Sequence, residues 1–288
     1  MSRVSERPVS VVIPTIGRRV HLRRALESLA RCDPLPAEVV VVDQSDTGAA
    51  AAAAEEVAVP GLRVATRPGT RGRGGAVNCG LELASHQVAF VVDDDCTVSP
   101  DWIDVGFRAM EEDPAGIVTG RVLPVGDPKR VPSISTLAEA RDYTGELVCH
   151  VLFAGNMVCP RELVLKAGGF DPRIVPSAED CDLCYRWLRA GRTLRHLPEL
   201  VVWHHDWRTP DELTRLYIRY HRGLGRFYAK HLHAGDLRML RFAAHDFYAA
   251  SRGVAASLLL GRPRWADPRR GVLRGLVPGL WQGWREFG

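Results

Sequence analysis

The chain has 288 residues, 46% hydrophobic and 25% charged, the ordinary balance of a globular protein of one or two domains. That balance excludes a disordered chain. No apolar run approaches the ~18 residues of a membrane-spanning helix, the best candidate being 253–261. The charge is uneven: residues 204–288 hold 15 Lys and Arg against 7 Asp and Glu, net +8, while the remainder holds 23 against 27, net −4.

Residues 1–10 carry charges and no apolar stretch, so no secretory leader is expected. Seven scattered cysteines, an odd number, do not read as a disulfide framework, which makes a reducing cytosol the expected location. The basic tail suits phosphate groups, an anionic membrane surface or nucleic acid. Only Lys129, Lys166 and Lys230 are lysines, so the positive charge is almost all arginine, as a GC-rich genome would also produce.

Along the chain, strand and helix signals alternate. Residues 9–13 form a continuous β-branched run, of the kind buried on both faces of a parallel sheet. In 19–31, Leu22, Ala25, Leu26 and Leu29 are spaced for one helical face. Strand 38–42 ends in Asp43, alanine-rich 49–59 predicts a helix, and 62–66 predicts a third strand. A glycine-rich stretch, 69–75, leads to a helix over 76–85, and strand 88–92 runs into Asp93, Asp94 and Asp95. This rhythm predicts a mostly parallel sheet flanked by helices, with ligands beyond the carboxyl ends of its strands. Residues 113–141, rich in Pro and Gly, give no clear element. Further on, 152–158 predicts a strand, 161–166 a short helix, 179–190 an amphipathic helix stopped by Gly191, and 200–203 a strand leading into His204 and His205. The tail is helical. Leu213, Leu216, Tyr217, Tyr220, Leu224, Phe227 and Tyr228 share one face, and Arg215, Arg219, Arg222 and Arg226 the opposite one. That stripe is either a solvated face or a contact to anionic lipid or phosphate.

Three consecutive aspartates repel one another unless a cation neutralises them. Mg²⁺ or Mn²⁺ shared with substrate phosphates would do so, whereas a solvated turn before a helix opened by Ser99, Pro100 and Asp101 explains the triplet poorly. Glu179, Asp180 and Asp182 open a helix, where the macrodipole favours carboxylates and keeps a general base ionised. Two histidines at a strand end raise the prospect of a metal ligand.

In order and spacing, these pieces resemble the inverting nucleotide-sugar glycosyltransferases of family 2. The likeness runs from Val9 to His205 and rests on SVVIPTIGR (10–18), EVVVVDQSDT (38–47), GGAVNCGLELA (74–84), VVDDDC (91–96), the AEDCD segment at 178–182 and LPELVVWHH (197–205). The resemblance implies a GT-A fold over 1–210 with a basic helical extension over 211–288. It implies a nucleotide-sugar site drawn from Pro14, Thr15, Arg18, Asp43, Arg71, Asn78, Asp93, Asp94 and Glu179. In that site Asp43 would meet the nucleobase and Asp94 the ribose. Asp95 and His204 would hold Mg²⁺ or Mn²⁺, and Asp180 would be the catalytic base. The implied reaction is a single inverting displacement from a nucleoside-diphosphate sugar, UDP or dTDP favoured, to a hydroxyl of a glycan, a lipid-linked or a small-molecule acceptor. The expected location is cytoplasmic, with peripheral contact to the inner membrane face through 211–288. Departures are Gln44 after Asp43 and Val77 before Asn78, where the family often has Arg; Arg71 or Arg73 could supply that charge.

The rivals are weaker. A sugar nucleotidyltransferase would carry its glycine-rich loop after the first strand, not the third, and a non-catalytic binding homologue would not need Asp43, Asp95 and Asp180 together. A dinucleotide fingerprint fails at Val77, and no nucleic-acid recognition motif appears.

Overall fold

The computed structural model describes residues 6–259 and 269–288; residues 1–5 of the leader reading and 260–268 of the predicted extension lie outside the described residues. The chain divides into two compact units, Met1–Phe170 with Leu183–Asp206 and Asp171–Asp182 with Trp207–Gly288.

The first unit opens with β1 (Glu6–Thr15), α1 (Arg19–Leu29), β2 (Leu35–Asp43), α2 (Ala49–Glu55), β3 (Leu62–Thr66), α3 (Gly72–Leu83) and β4 (Val88–Val92). It continues with β5 (Cys96–Val98), α4 (Trp102–Glu112), β6 (Ile117–Val125), β7 (Arg141–Tyr143), β8 (Asn156–Pro160), α5 (Arg161–Lys166) and β9 (Leu194–His205). Helix α6 (Glu179–Arg189) begins in the second unit and ends in the first.

The strands form one sheet in the order β3-β2-β1-β4-β8-β6-β9-β5, with β7 beside β9. The predicted parallel order holds across β3, β2, β1 and β4. Beyond β4 the sheet is mixed: β8 is antiparallel to β4 and β6, β9 is parallel to β6, and β5 is antiparallel to β9. Successive residues of a strand face opposite sides, and both sides are covered, which is why the runs are continuously apolar. Val9, Val11 and Ile13 of β1 join Leu22 and Leu26 of α1 and Trp102 of α4 in one core, while Val12 joins Val77 and Leu81 of α3 and Trp187 of α6 in the other. Each such fully buried Val or Leu contributes about 1.5–3 kcal/mol of hydrophobic stabilisation.

The second unit holds α7 (Pro210–His233), α8 (Arg238–Leu259) and α9 (Arg269–Phe287). Helix α7 starts with a capping box between Thr209 and Glu212 and with Pro210 at its first position. Its predicted arginine stripe is not a continuous outward face. Arg215 and Arg219 are exposed, but Arg222 and Arg226 are half-buried because α9 packs there. Gly275, Gly279 and Gly283 of α9 let the two backbones meet: a Cβ on Gly279 would lie 2.2 Å from the Arg222 carbonyl and one on Gly283 2.9 Å from Arg226 Cα. Arg226 also pairs with Glu286 at 2.9 Å. No helix among the described residues is long and apolar enough to cross a membrane.

Candidate active site

The parallel strands end together. Thr15 pairs with Asp43, and Asp43 with Thr66, so β1, β2 and β3 present their carboxyl ends side by side. Asp43 is buried, and its Oδ1 accepts from the Ser45 amide at 2.9 Å and the Ser45 hydroxyl at 2.8 Å. Pro14 lies one residue before the end of β1. Gln44, a departure from the family pattern, donates through Nε2 to the carbonyls of Thr70 and Gly72 and so ties the glycine-rich turn to the end of β2. That anchorage starts α3 at Gly72, four residues earlier than predicted.

The aspartate triplet is neutralised from two sides. Asp94 is fully buried; its Oδ2 accepts from Thr15 Oγ1 at 2.6 Å and Arg18 Nε at 3.0 Å, and its Oδ1 accepts from Arg18 Nη2 at 2.5 Å. Burial raises its pKa to about 6, against the pull of the Arg18 charge. Burial also opposes the charge on Arg18, but Asp94 and Asp95 together hold that guanidinium more firmly protonated than usual. Asp93 accepts from Arg73 Nε at 2.6 Å. Of the two arginines the sequence left open, Arg73 therefore meets the triplet, while Arg71 sits exposed before α3. The Asn78 side chain is occupied elsewhere: Nδ2 donates to the Phe170 carbonyl at 2.7 Å and Oδ1 accepts from the Phe170 amide at 2.9 Å.

Strand alternation separates the two histidines. Buried His204 lies with Nε2 3.5 Å from Asp95 Oδ2, and that nitrogen has no hydrogen-bond partner among the described residues. His205 points the other way, to Thr97 Oγ1 at 3.0 Å. Burial, with Arg24 and His204 nearby, pushes its imidazole pKa down. Asp95, Cys96 and His204 each offer a ligand atom within 4.8 Å of the others. Burial and the neighbouring carboxylates raise the Cys96 thiol well above its ordinary pKa, which leaves a carboxylate oxygen of Asp95 and an imidazole nitrogen of His204 as donors. That set, with an orphaned buried nitrogen, fits Mg²⁺ or Mn²⁺.

The predicted catalytic segment lies in the second unit. At the start of α6, Glu179 is buried and Asp182 fully so, whereas Asp180 is partly exposed. Asp180 Oδ1 accepts from the Cys181 amide at 2.8 Å, so the carboxylate is held at a helix N-terminus. Asp182 Oδ1 meets Lys230 Nζ at 2.7 Å and His231 Nε2 at 2.9 Å, which marks it as a structural acid. Ser45, Thr97 and Lys230 were not singled out as site residues from the sequence; Ser45 closes a local turn onto Asp43, whereas Thr97 and Lys230 are tied in by contacts across the fold that no local pattern announces.

Residues 10–162 match the family description "Glycosyl transferase family 2", and 89–277 match "Glycosyl transferase family group 2". Two relatives from Mycobacterium tuberculosis strains, each called pre-mycofactocin glycosyltransferase, are 30% identical over 216 residues, covering 71% of this chain and 44% of theirs. The chain thus spans less than half the length of these relatives. Among solved structures, mannosyltransferase PcManGT from Pyrobaculum calidifontis, in complex with GDP-Man and Mn²⁺, superposes with a TM-score of 0.65 at 20% identity, over 95% of this chain and 87% of that one. TarS 1-349 from S. aureus in complex with UDP gives 0.58 at 18% identity, over 83% and 75%. The fold is GT-A, and the chain belongs to glycosyl transferase family 2.

Proposed function

We propose that the protein transfers a sugar from a nucleoside-diphosphate donor to an acceptor hydroxyl by one inverting displacement. The observation that carries the proposal is the group at the strand ends: Asp43 and the Asp93–Asp95 triplet, with the partnerless nitrogen of His204 beside Asp95. The Mn²⁺ and nucleotide sugar in the mannosyltransferase neighbour support it.

In this reading Asp43 receives the nucleobase, with Pro14 and Thr15 framing the base side, and Asp94 receives the ribose. Arg18, Arg71 and Arg73 supply positive charge toward the diphosphate. By family resemblance Asp93, Asn78 and Glu179 belong to the nucleotide-sugar site, Asn78 indirectly through its hold on the Phe170 backbone. A Mg²⁺ or Mn²⁺ held by Asp95 and His204 would neutralise the charge that develops on the leaving diphosphate. Asp180 takes the proton from the acceptor hydroxyl as it attacks the anomeric carbon. By family resemblance the donor is a UDP or dTDP sugar. The acceptor is a glycan, a lipid-linked or a small molecule, and the last class draws support from the pre-mycofactocin relatives.

Peripheral attachment to an anionic membrane belongs to the same proposal, but through α9 rather than α7. Val277, Trp281 and Trp284 stand on its outer side, the tryptophans 60% and 56% exposed, with Arg285 over the Trp281 ring at 4.8 Å.

The test combines a thermal-shift panel of UDP-, dTDP- and GDP-sugars, with and without Mn²⁺, with Asp180→Asn assayed on the best-binding donor. The variant is expected to bind that donor normally and lose at least about a hundredfold in transfer, the scale of general-base loss. No stabilisation by any nucleotide sugar, or a fully active Asn variant, would refute the proposal.

A further inference from the structure

Within the second unit, residues 171–182, which carry Glu179 and Asp180, are fastened along α7 over about three turns. Ser177 Oγ donates to the carbonyls of Arg219 and Tyr220, each at 3.2 Å. Arg226 Nη1 donates to the Arg173 carbonyl at 2.9 Å. Lys230 Nζ bridges two carboxylates, Asp171 Oδ2 at 2.9 Å and Asp182 Oδ1 at 2.7 Å. His231 Nε2 donates to the same Asp182 oxygen at 2.9 Å. Arg173 doubles back onto Asp171 through Nε and Nη2, at 3.0 and 2.8 Å.

Two backbone features show how closely the segment is seated. A Cβ on Gly223 would lie 2.0 Å from the Ser177 carbonyl oxygen, so any larger residue must push the segment off the helix. Ala178, immediately before α6, holds φ +68°, a conformation that non-glycine residues keep only when their surroundings impose it.

We infer that α7 is the positioning element for the acceptor-activating base, with Gly223 and Lys230 as positioning residues. The inference rests on the proposed role of Asp180. Lys230 fixes Asp182, which stands two residues beyond Asp180 on the same first turn of α6. Gly223 fixes Ser177, three residues before it. The chain from Ser177 to Asp182 is therefore pinned at both ends, with the base between. General-base catalysis depends on such placement: a displacement of about 1 Å can lower a rate a hundredfold. Helix α7 thus takes part in catalysis without touching the reacting atoms.

The experiment uses the full chain with Mn²⁺ and the best-binding nucleotide sugar of the thermal-shift panel, water or p-nitrophenyl glycosides serving as acceptors. Gly223→Ala, Lys230→Met, Lys230→Arg and the charge-neutral pair Asp182→Asn/Lys230→Met are compared with Asp180→Asn for kcat, donor Kd and Tm. Gly223→Ala and Lys230→Met are expected to lose about tenfold to a hundredfold in kcat, with donor Kd within about twofold of wild type. Lys230→Arg should recover most of the loss. The neutral pair removes the uncompensated charge and should fold, yet remain slow. Wild-type kcat in Gly223→Ala and Lys230→Met beside an inactive Asp180→Asn would overturn the positioning role and leave the base standing. Parallel losses in kcat, donor affinity and Tm would overturn it too, by marking these residues as merely structural. An active Asp180→Asn would instead remove the reading beneath it.

Discussion

Glu38, in β2, offers a quantitative test of how the sheet is held at the end away from the site. Its side chain is nearly buried and accepts four hydrogen bonds. Oε2 takes Ser10 Oγ at 2.5 Å and the Ser85 amide at 2.8 Å; Oε1 takes Ser85 Oγ at 3.0 Å and Arg63 Nη2 at 2.7 Å. Burial alone would raise its pKa, but these donors outweigh it and hold the pKa at about 2, against 4.5 for a free glutamate. At about 1.36 kcal/mol per pH unit, that shift corresponds to roughly 3 kcal/mol of stability. Because the folded pKa is the lower one, the stabilisation is complete above pH 4.5 and is lost as the pH falls toward 2. Glutamine keeps one acceptor oxygen but turns an NH₂ group toward donors, so Glu38→Gln should lose about 2–3 kcal/mol at pH 7. Arg63 is half-exposed and adds little of this. Urea unfolding of both proteins at pH 7 and pH 2.5 measures the difference, which should shrink at the lower pH. A loss below about 0.5 kcal/mol at pH 7, or one that does not change with pH, would refute the reasoning.

Asp94 should behave in the opposite sense. Its folded pKa of about 6 lies above the ordinary 3.8, so it stabilises fully below pH 3.8 and loses that contribution as the pH rises through 6; Asp94→Asn should flatten this slope in urea titrations from pH 4 to 7. Asp95→Ala and His204→Ala should each weaken Mn²⁺-dependent donor binding by about tenfold or more in calorimetry. His205→Ala, whose ring faces Thr97, should do less, and the reverse order would refute the ligand assignment. Trp281→Ser/Trp284→Ser should reduce co-sedimentation with anionic vesicles at low salt, whereas equal binding of variant and wild type would remove the membrane role of α9.

The first half of the fold was legible because β1, β2 and β4 are continuous apolar runs, α1 shows a clean periodicity and α2 is an alanine run of high helix propensity. β3 and β4 fall on the predicted residues, and β1 and β2 differ only at their ends. The second half was harder. β6 and β7 emerge where Pro and Gly obscure any pattern, and β8 begins four residues later than predicted. β9 is twelve residues long rather than four, because Pro198 and Glu199 interrupt its apolar run while its pairing with β6 absorbs them in a register shift. The aspartates were readable as a triplet at a strand end. Their partners were not: Arg18 reaches Asp94 from 76 residues away and Lys230 reaches Asp182 from 48. The arginine stripe on α7 had the right periodicity, but periodicity defines a face without saying what covers it. The spacing of four residues between Gly275, Gly279 and Gly283 was the available signal that α9 would pack closely there.

The most direct test of the central claim is the anomeric configuration of the product, read by ¹H NMR coupling constants during transfer from an α-linked nucleotide sugar in the presence of Mn²⁺. A single displacement with Asp180 as base predicts a β-linked product that forms with wild type and not with Asp180→Asn. An α-linked product, or a β-linked one that forms equally well without the Asp180 carboxylate, would contradict it.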